Sequence, residues 1–597
     1  MMDKARSFGE VVRRRSDADD GRPMLRFLAN GERESEAWSY AELDRRARAI
    51  AARLQASCDA GDRALLLYPP GLEYVAALIG CFYAGVIAVP AYPPDPARLG
   101  RTLPRLRAII GDAQATVALT SAAVHQLFAA LPWQSEALGS LLWVVSDEVP
   151  GGAAEDAYRD PNLGRDAVAL LQYTSGSTGT PRGVVIRHGN LLSNSAFIHR
   201  GFEHSRESHS VSWLPPYHDM GLVGGILQAL YGGFPTTLMS PISFLERPIR
   251  WLQAISTYRA NASGGPNFAY ELCVRRVKPQ DLANLDLTCW SIAFCGAEPI
   301  RPRALQAFGA AFATAGFAPA ALYPCYGLAE ATLAVTLSDK GKGFKTCAVD
   351  AHALERHVVL ERAPADLGED SEKAAVSLVG CGRAGAEHEI AIVDPETCER
   401  CEPDRVGEVW VRGASIAREY WCRPAESAAA FDARLADGSG PYLRTGDLGF
   451  LRGEELFVTG RLKDLLIVQG RNFYPHEIEA IAEASHPALR RNCCAVFPVE
   501  GEGSGQLVVV CEVDPAAATS WDDVAWAIRG QVGRQVDARV HGVVLIAPRS
   551  LRKTSSGKVQ RWACRPSSSA ASCLSSIAGA PTGSSGSQSP GMCVPEF

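Results

Sequence analysis

The stretch YTSGSTGTPRG, Tyr173 to Gly183, stands between two apolar runs, AVALLQY and VVI. Thr174, Ser175, Ser177 and Thr178 bring hydroxyls, and Gly176 and Gly179 bring flexible backbone. Glycines let backbone N–H groups close on an anion and hydroxyls add donors, so this composition suits a phosphate cradle. No Lys follows GSTG, which separates the stretch from the GxxxxGK[ST] nucleotide loop. Ser177 does not sit in G-x-S-x-G, so it is not a nucleophile elbow. A Gly- and Ser-rich turn is the competing reading, although most hairpins close with about 2–5 residues.

Three further polar clusters interrupt apolar surroundings. In CYGLAEAT, Cys325 to Thr332, Tyr326 and Glu330 follow a strand-like AALY. An aromatic can stack on a base and a carboxylate can hold Mg²⁺ on phosphates, while a helix start with an incidental Glu fits equally well. In YLRTGDLG, Asp447 reads as the acid of a tight Gly-flanked turn, able to accept from two ribose hydroxyls or simply to close the turn. In LRKTSSGKVQR, Lys558 sits on a Gly/Ser loop, where a mobile ammonium could neutralise charge developing between a carboxylate and an α-phosphate. Exposed basic loops more often have no such task.

These groups need rigid elements to hold them. SYAELDRRARAIAARLQ has helical apolar spacing with Ser39 as its cap and Glu42 three residues on. RALLLY, ATVALT and SLLWVVS read as strands, with helix LPRLRAIIGDA among them, which indicates doubly wound α/β layers. The uncharged YVAALIGCFYAGVIAVPAY, Tyr74 to Tyr92, could span a bilayer by length. Gly85 and Pro90 punctuate it, so a buried helix and a buried strand are expected instead. Near Leu451 the texture changes to short strands with glycine turns, then to HEIEAIAEAS, CCAVFPV, QLVVVCEVD and HGVVLIAP, a small α+β unit. The boundary falls between Gly460 and Asp464. From Pro566 to Phe597 Ser, Gly, Ala and Pro dominate, and a disordered tail is expected.

The chain of 597 residues is too long for one core, and two to four domains are expected. A net charge of −6 gives no reason to expect nucleic acid or an anionic membrane as partner. The 17 cysteines form no paired C-x-x-C motifs, which argues against structural zinc and for reduced thiols in the cytosol. The polar N-terminus shows no secretory signal, so a cytoplasmic location is expected.

In order along the chain, YTSGSTGTPRG, CYGLAEAT, YLRTGDLG, GRLKDLLIVQGRNFYPHEIE and KTSSGKVQR resemble the core motifs of the adenylate-forming superfamily. That superfamily comprises acyl-CoA synthetases, peptide synthetase adenylation domains and luciferases. The resemblance runs from Phe8 to Arg565. AVPAYPP, SWLPPYHDMGL, SFLERPIRWL, SGGPNFAYELC, LVGCG and VDAHALERHVVLERAP are similar to the fatty acyl-AMP ligase branch.

The resemblance implies an α/β fold: a large adenylation domain of layered subdomains over 1–460, a small mobile α+β domain over 461–565, and a tail over 566–597. It also implies an insertion near 340–377, which in this branch accompanies loss of CoA acceptance. The implied reaction joins a medium- or long-chain fatty acid to ATP as acyl-adenylate, releasing pyrophosphate, and then passes the acyl group to a carrier-protein phosphopantetheine thiol. By resemblance, Thr174, Ser175, Gly176, Ser177, Thr178 and Gly179 close over phosphates. Arg182 stands where the family usually has Lys; it keeps the charge but changes donor geometry. Glu330, with Thr174 or Thr178 near, would bind Mg²⁺. Tyr326 and Gly327, with Gly296, Ala297 and Glu298, would form the adenine pocket; Asp447 and Arg461 would hold the ribose. His218 would sit beside the fatty carboxylate, with a buried structural His as the competing reading. Lys558 would bridge carboxylate and α-phosphate, and Lys463 would be the hinge. Phe244, Trp251, Phe268 and Tyr270 would line an acyl tunnel or simply form core. No carrier motif follows, so the carrier would act in trans. An acyl-CoA synthetase and a catalytically inactive adenylate-fold binding protein are the alternatives.

Overall fold

The computed structural model describes residues 4–93, 99–129, 136–149, 152–174, 181–362, 375–468, 471–499, 506–517, 520–536, 538–554 and 558–564. Two large sheets dominate. One has six strands in the order Leu142–Val145, Val117–Thr120, Arg63–Leu67, Ile87–Ala91, Val168–Thr174 and Arg182–Arg187. Its pairs are parallel except the last, which is antiparallel. The other has nine strands, with a parallel centre of Leu322–Gly327, Ile292–Cys295, Ala262–Gly265, Ser210–Ser212, Thr236–Met239 and Leu25–Ala29. Parallel strands need crossover connections, and the intervening helices supply them.

The apolar Tyr74–Tyr92 segment divides as expected. Helix Leu72–Ala84 is buried almost throughout and ends at Gly85, whose φ of +76° suits a residue without Cβ. The strand Ile87–Ala91 follows inside the sheet. No described helix is long and apolar enough to cross a membrane. Ser39 caps Tyr40–Gln55 by accepting from the Glu42 N–H.

After the large sheets come four antiparallel strands, His388–Val393, Gly407–Gly413, Leu443–Arg452 and Glu455–Arg461. The smaller C-terminal part holds the hairpin Leu466–Val468/Arg471–Phe473 and a three-stranded sheet of Leu489–Val499, Gln506–Val513 and Val540–Ile546. Helices Pro475–Ala484 and Trp521–Val536 pack on one face of that sheet, and the segment around Leu551 and Cys564 on the other. This is the α/β architecture with a small C-terminal α+β part that the motifs implied.

Several local expectations give way. Asp447 lies within the strand Leu443–Arg452, opposite Arg461, not in a turn; Gly446, at φ +71°, precedes it. Tyr326 and Gly327 belong to the strand itself, and a single 3₁₀ turn, Ala329–Ala331, replaces any helix start. Cys494 and Cys511 face each other in register on adjacent antiparallel strands and are joined as a disulfide, so the thiols are not uniformly reduced. The other described cysteines are free. The tail expected to be disordered lies outside the described residues.

Within the expected insertion, Thr346–Asp350 pairs antiparallel with Ala375–Val379. Val349, Leu354, Val359 and Leu378 pack against Leu448, Phe450, Phe457 and Tyr474. Glu355 binds Arg471 in the C-terminal hairpin at 2.8 Å, and its carbonyl accepts from Asn472 Nδ2, also at 2.8 Å.

Candidate active site

The cleft between the large sheets and the C-terminal part is assembled from strand ends. Strand Leu322–Gly327 delivers Tyr326, whose hydroxyl donates to Asp447 Oδ2 at 2.8 Å. Asp447 Oδ1 accepts from Arg461 Nε, also at 2.8 Å. The two-strand register makes this pair, because Asp447 and Arg461 lie directly opposite. The Asp447 charge holds the Arg461 guanidinium above its ordinary value, and burial followed by that same charge raises the Tyr326 hydroxyl. Gly327 allows the chain to turn back: a Cβ there would stand 1.8 Å from the Leu333 oxygen.

On the neighbouring strand end, Gly296, Ala297 and Glu298 follow Ile292–Cys295. Ala297 is in the left-handed region at φ +71°. Glu298 Oε1 accepts the Phe268 N–H at 2.9 Å, and burial raises its carboxyl against the opposing pull of that hydrogen bond, Arg301 and Lys558.

His218 precedes a π-helical turn, Met220–Leu227, that Asp219 caps. Its Nδ1 lies 2.7 Å from Asp219 Oδ1. Burial would raise the Asp219 carboxyl, but His218, Lys558 and the Met220 N–H together hold it below its ordinary value. His218 is half-buried and faces the cleft acids, unlike His188 and His204, which are enclosed core residues.

Lys558 reaches this cleft from the far end of the chain. It is water-accessible yet surrounded by protein. That enclosure and the Arg461 charge push its ammonium down, while Asp219, Glu298 and Asp447 pull it up. The net displacement is downward. Five charged groups from five separate stretches of sequence thus share one cleft.

Glu330 sits at the other side, on the 3₁₀ turn. Its Oε1 accepts from the Tyr420 hydroxyl at 2.9 Å, and Arg461 senses its charge. Arg182 lies 4.8 Å above the Tyr420 ring and 3.2 Å from Glu426. Thr174 ends its strand opposite Arg182. Ser175, Gly176, Ser177, Thr178 and Gly179 lie outside the described residues. Lys463 occupies the 3₁₀ turn Leu462–Asp464, and Asp464 binds Arg561 at 2.8 Å.

The four expected acyl-lining aromatics divide. Phe244, Trp251 and Tyr270 are fully buried in one packed cluster. The Trp251 indole N–H donates to Ser263 Oγ and the Tyr270 hydroxyl to the Phe294 oxygen, as satisfied core polar groups do. Phe268 is half-buried, its ring 6.0 Å from that of Trp213 and its N–H on Glu298.

Reading the sequence for chemistry passed over Asp219 and Tyr420. Asp219 adjoins His218 in SWLPPYHDMGL, so its position carried a signal. Tyr420 lies in no motif, and only the fold brings it to Glu330.

The model of the AMP-binding enzyme family matches residues 12–421. The chain belongs to this family. It is 47% identical over 560 residues to JamA of Moorena producens, a medium-chain-fatty-acid–[acyl-carrier-protein] ligase, covering 93% of this chain and 94% of that one. TtuA of Teredinibacter turnerae, of the same description, is 35% identical, with 90% of each chain covered. A fatty acyl-adenylate ligase from L. pneumophila, solved with acyl adenylate and pyrophosphate, superposes with a TM-score of 0.74 at 39% identity over 94% of this chain and 96% of that one.

Proposed function

We propose that this chain is a fatty acyl-AMP ligase that adenylates a medium- or long-chain fatty acid with ATP and then passes the acyl group to a carrier-protein phosphopantetheine thiol. The observation that carries the reading is Lys558, whose charged neighbours are Asp219, Glu298, Asp447 and Arg461, with His218 on Asp219.

A fatty carboxylate and a triphosphate repel each other, so the barrier falls when a cation is fixed where they meet. Lys558 supplies that cation, with Asp219, Glu298, Asp447 and Arg461 as its charged neighbours. His218, steadied by Asp219, lies on the carboxylate side. The Tyr326–Asp447–Arg461 network holds the ribose side, with Asp447 accepting from sugar hydroxyls. Gly296, Ala297 and Glu298 complete the adenine pocket with Tyr326 and Gly327. The stretch from Thr174 to Gly179 encloses the outgoing phosphates.

Mg²⁺ fits this reading. Among the described residues no cluster of three or more His, Cys, Asp or Glu could cage a metal. Magnesium in nucleotide sites takes one or two carboxylates and fills its remaining positions with phosphate oxygens and water. Glu330 is such a carboxylate, oriented by Tyr420, and Thr174 or Thr178 would add a hydroxyl; bound there, the ion would neutralise phosphate charge. Arg182 is held by Glu426 and Tyr420, so its part is to steady the region around Glu330.

We place the domain boundary at 460/461, with Lys463 as hinge. Rotation there would withdraw Lys558 and free the cleft for the carrier thiol. Of the four aromatics, half-buried Phe268 is the one left to meet the acyl chain, where each buried CH₂ favours binding by about 0.8 kcal/mol. The test is an intact-mass assay of phosphopantetheinylated carrier proteins with ATP, Mg²⁺ and a series of fatty acids, run beside CoA. Acylated carrier is expected. Efficient acyl-CoA formation with unmodified carrier would overturn the choice of acceptor, and absence of any fatty-acid-dependent ATP–pyrophosphate exchange would overturn the activity.

A further inference from the structure

Helix Trp521–Val536 buries Val524, Ile528 and Val532 in the core of the small C-terminal part. Trp526 is two positions from Val524, about 200° around the helix, so it points the opposite way. It is 75% exposed, more than any other large apolar side chain among the described residues. About two turns on, Arg534 folds back so that its guanidinium carbon lies 3.8 Å from where a Cβ on Gly530 would be. Nothing covers Gly533 within 4 Å. Arg529 donates to the His541 carbonyl at 3.2 Å, and Arg539 is exposed on the segment that follows the helix. None of these three arginines has a carboxylate partner among the described residues. The acids of this helix, Asp522 and Asp523, lie in its first turn, on the far side of Trp526 from the arginines.

A lone exposed apolar residue needs no explanation, but an exposed indole on a helix whose arginines lack carboxylate partners has the make-up of an interface hot spot. We propose that Trp526, Arg529, Arg534 and Arg539 form the docking face for the carrier protein, which meets it with an acidic helical surface bearing an apolar recess for the indole. This rests on the carrier-transfer reading above. The charge selects the occupant. A second copy of this chain docking two-fold through the same face would oppose arginine to arginine, whereas an acidic partner neutralises all three. Placement agrees. The helix covers one face of the three-stranded sheet, and the segment leading to Lys558 lies on the other. A carrier seated on Trp526 therefore leaves Lys558 free to work in the cleft, and it travels with the small domain when that domain turns about Lys463.

The test uses the full chain and whichever phosphopantetheinylated carrier it acylates. Trp526→Ala, Arg534→Glu and the pair Arg529→Glu/Arg534→Glu are compared with the parent. The carrier KM is expected to rise about tenfold to thirtyfold. ATP–pyrophosphate exchange and the thermal midpoint should not change, and carrier acylation should lose much of its salt dependence. Replacing acids on the carrier surface with lysine should restore acylation by Arg534→Glu. A carrier KM within twofold of the parent in all variants would overturn the proposal. So would variants that lose only binding to phosphatidylglycerol vesicles or only self-association. A parent chain that acylates no carrier, while still exchanging pyrophosphate, would remove the transfer reading and this face with it.

Discussion

Lys558→Ala isolates the charge that the C-terminal part contributes to the cleft. Its charged neighbours are the carboxylates Asp219, Glu298 and Asp447 and the cation Arg461. Fully ionised, three carboxylates against two cations leave one negative charge; without Lys558 two remain. The change falls where a carboxylate and a triphosphate already repel each other. Two unit charges about 4 Å apart interact by ~4 kcal/mol at an effective dielectric of about 20. Lys558 is reached by water, so screening reduces its part to about 3 kcal/mol, or roughly a hundredfold in rate. That lies within the range found for removing one preorganised donor from a developing charge.

The assay separates the half-reactions. Single-turnover pyrophosphate release, with acyl-adenylate trapped by hydroxylamine, reads the first; supplied acyl-adenylate with carrier, followed by intact mass, reads the second. The variant should lose about a hundredfold in the first step and stay within about threefold in the second. Folding should be intact, because the Lys558 side chain is exposed to water. Adenylation within about fivefold of the parent would refute the assignment, since no arrangement that relies on this cation could spare it.

Lys463→Pro fixes backbone at the proposed hinge, so adenylate formation should persist while carrier acylation falls at least about tenfold; equal loss in both steps would count against a hinge. Burial and the nearby Glu355 push the Glu477 carboxyl up to about 8, from an ordinary 4.5, and its Oε1 is enclosed without a partner. The folded protein therefore holds a proton that the unfolded chain releases, and stability should fall as pH rises from about 4.5 to 8. Glu477→Gln should flatten that slope and raise the thermal midpoint above pH 8, and an unchanged slope would refute the account. Trp251→Ala should cost about 3–5 kcal/mol of stability, as a buried indole with a satisfied N–H does, yet leave fatty acid chain-length preference unaltered. A shifted chain-length optimum in a stable variant would return Trp251 to the acyl site.

The elements were legible wherever periodicity was strong. Gly85 could be read as a helix stop because a left-handed residue was needed between a buried helix and a buried strand, and Ser39 as a cap because its hydroxyl had a free N–H three residues on. The stretches proposed for catalysis stood out because Gly and hydroxyl residues or paired charges interrupt apolar runs there. Less legible were features whose signal is local but whose outcome is set by pairing. A Gly–Asp pair reads as a turn, yet Asp447 enters a strand because Arg461 stands opposite it and Tyr326 reaches its other oxygen. The helix Trp521–Val536 was not read at all, since its exposed face carries Trp526, Gly530 and Gly533 where polar helix formers are expected. Least legible is which charge meets which across the chain. Asp219 is marked only by adjoining His218, and Tyr420 by nothing, because a hydroxyl aimed at Glu330 exists only after the strand ends converge. Such contacts involve no local preference and therefore leave no local pattern. Glu355 shows this most plainly: nothing in VDAHALERHVV hints that its carboxylate will hold Arg471 and its carbonyl Asn472. That contact ties the segment around Glu355 to the hairpin beyond the Lys463 turn, so its strength must enter the cost of the rotation proposed above.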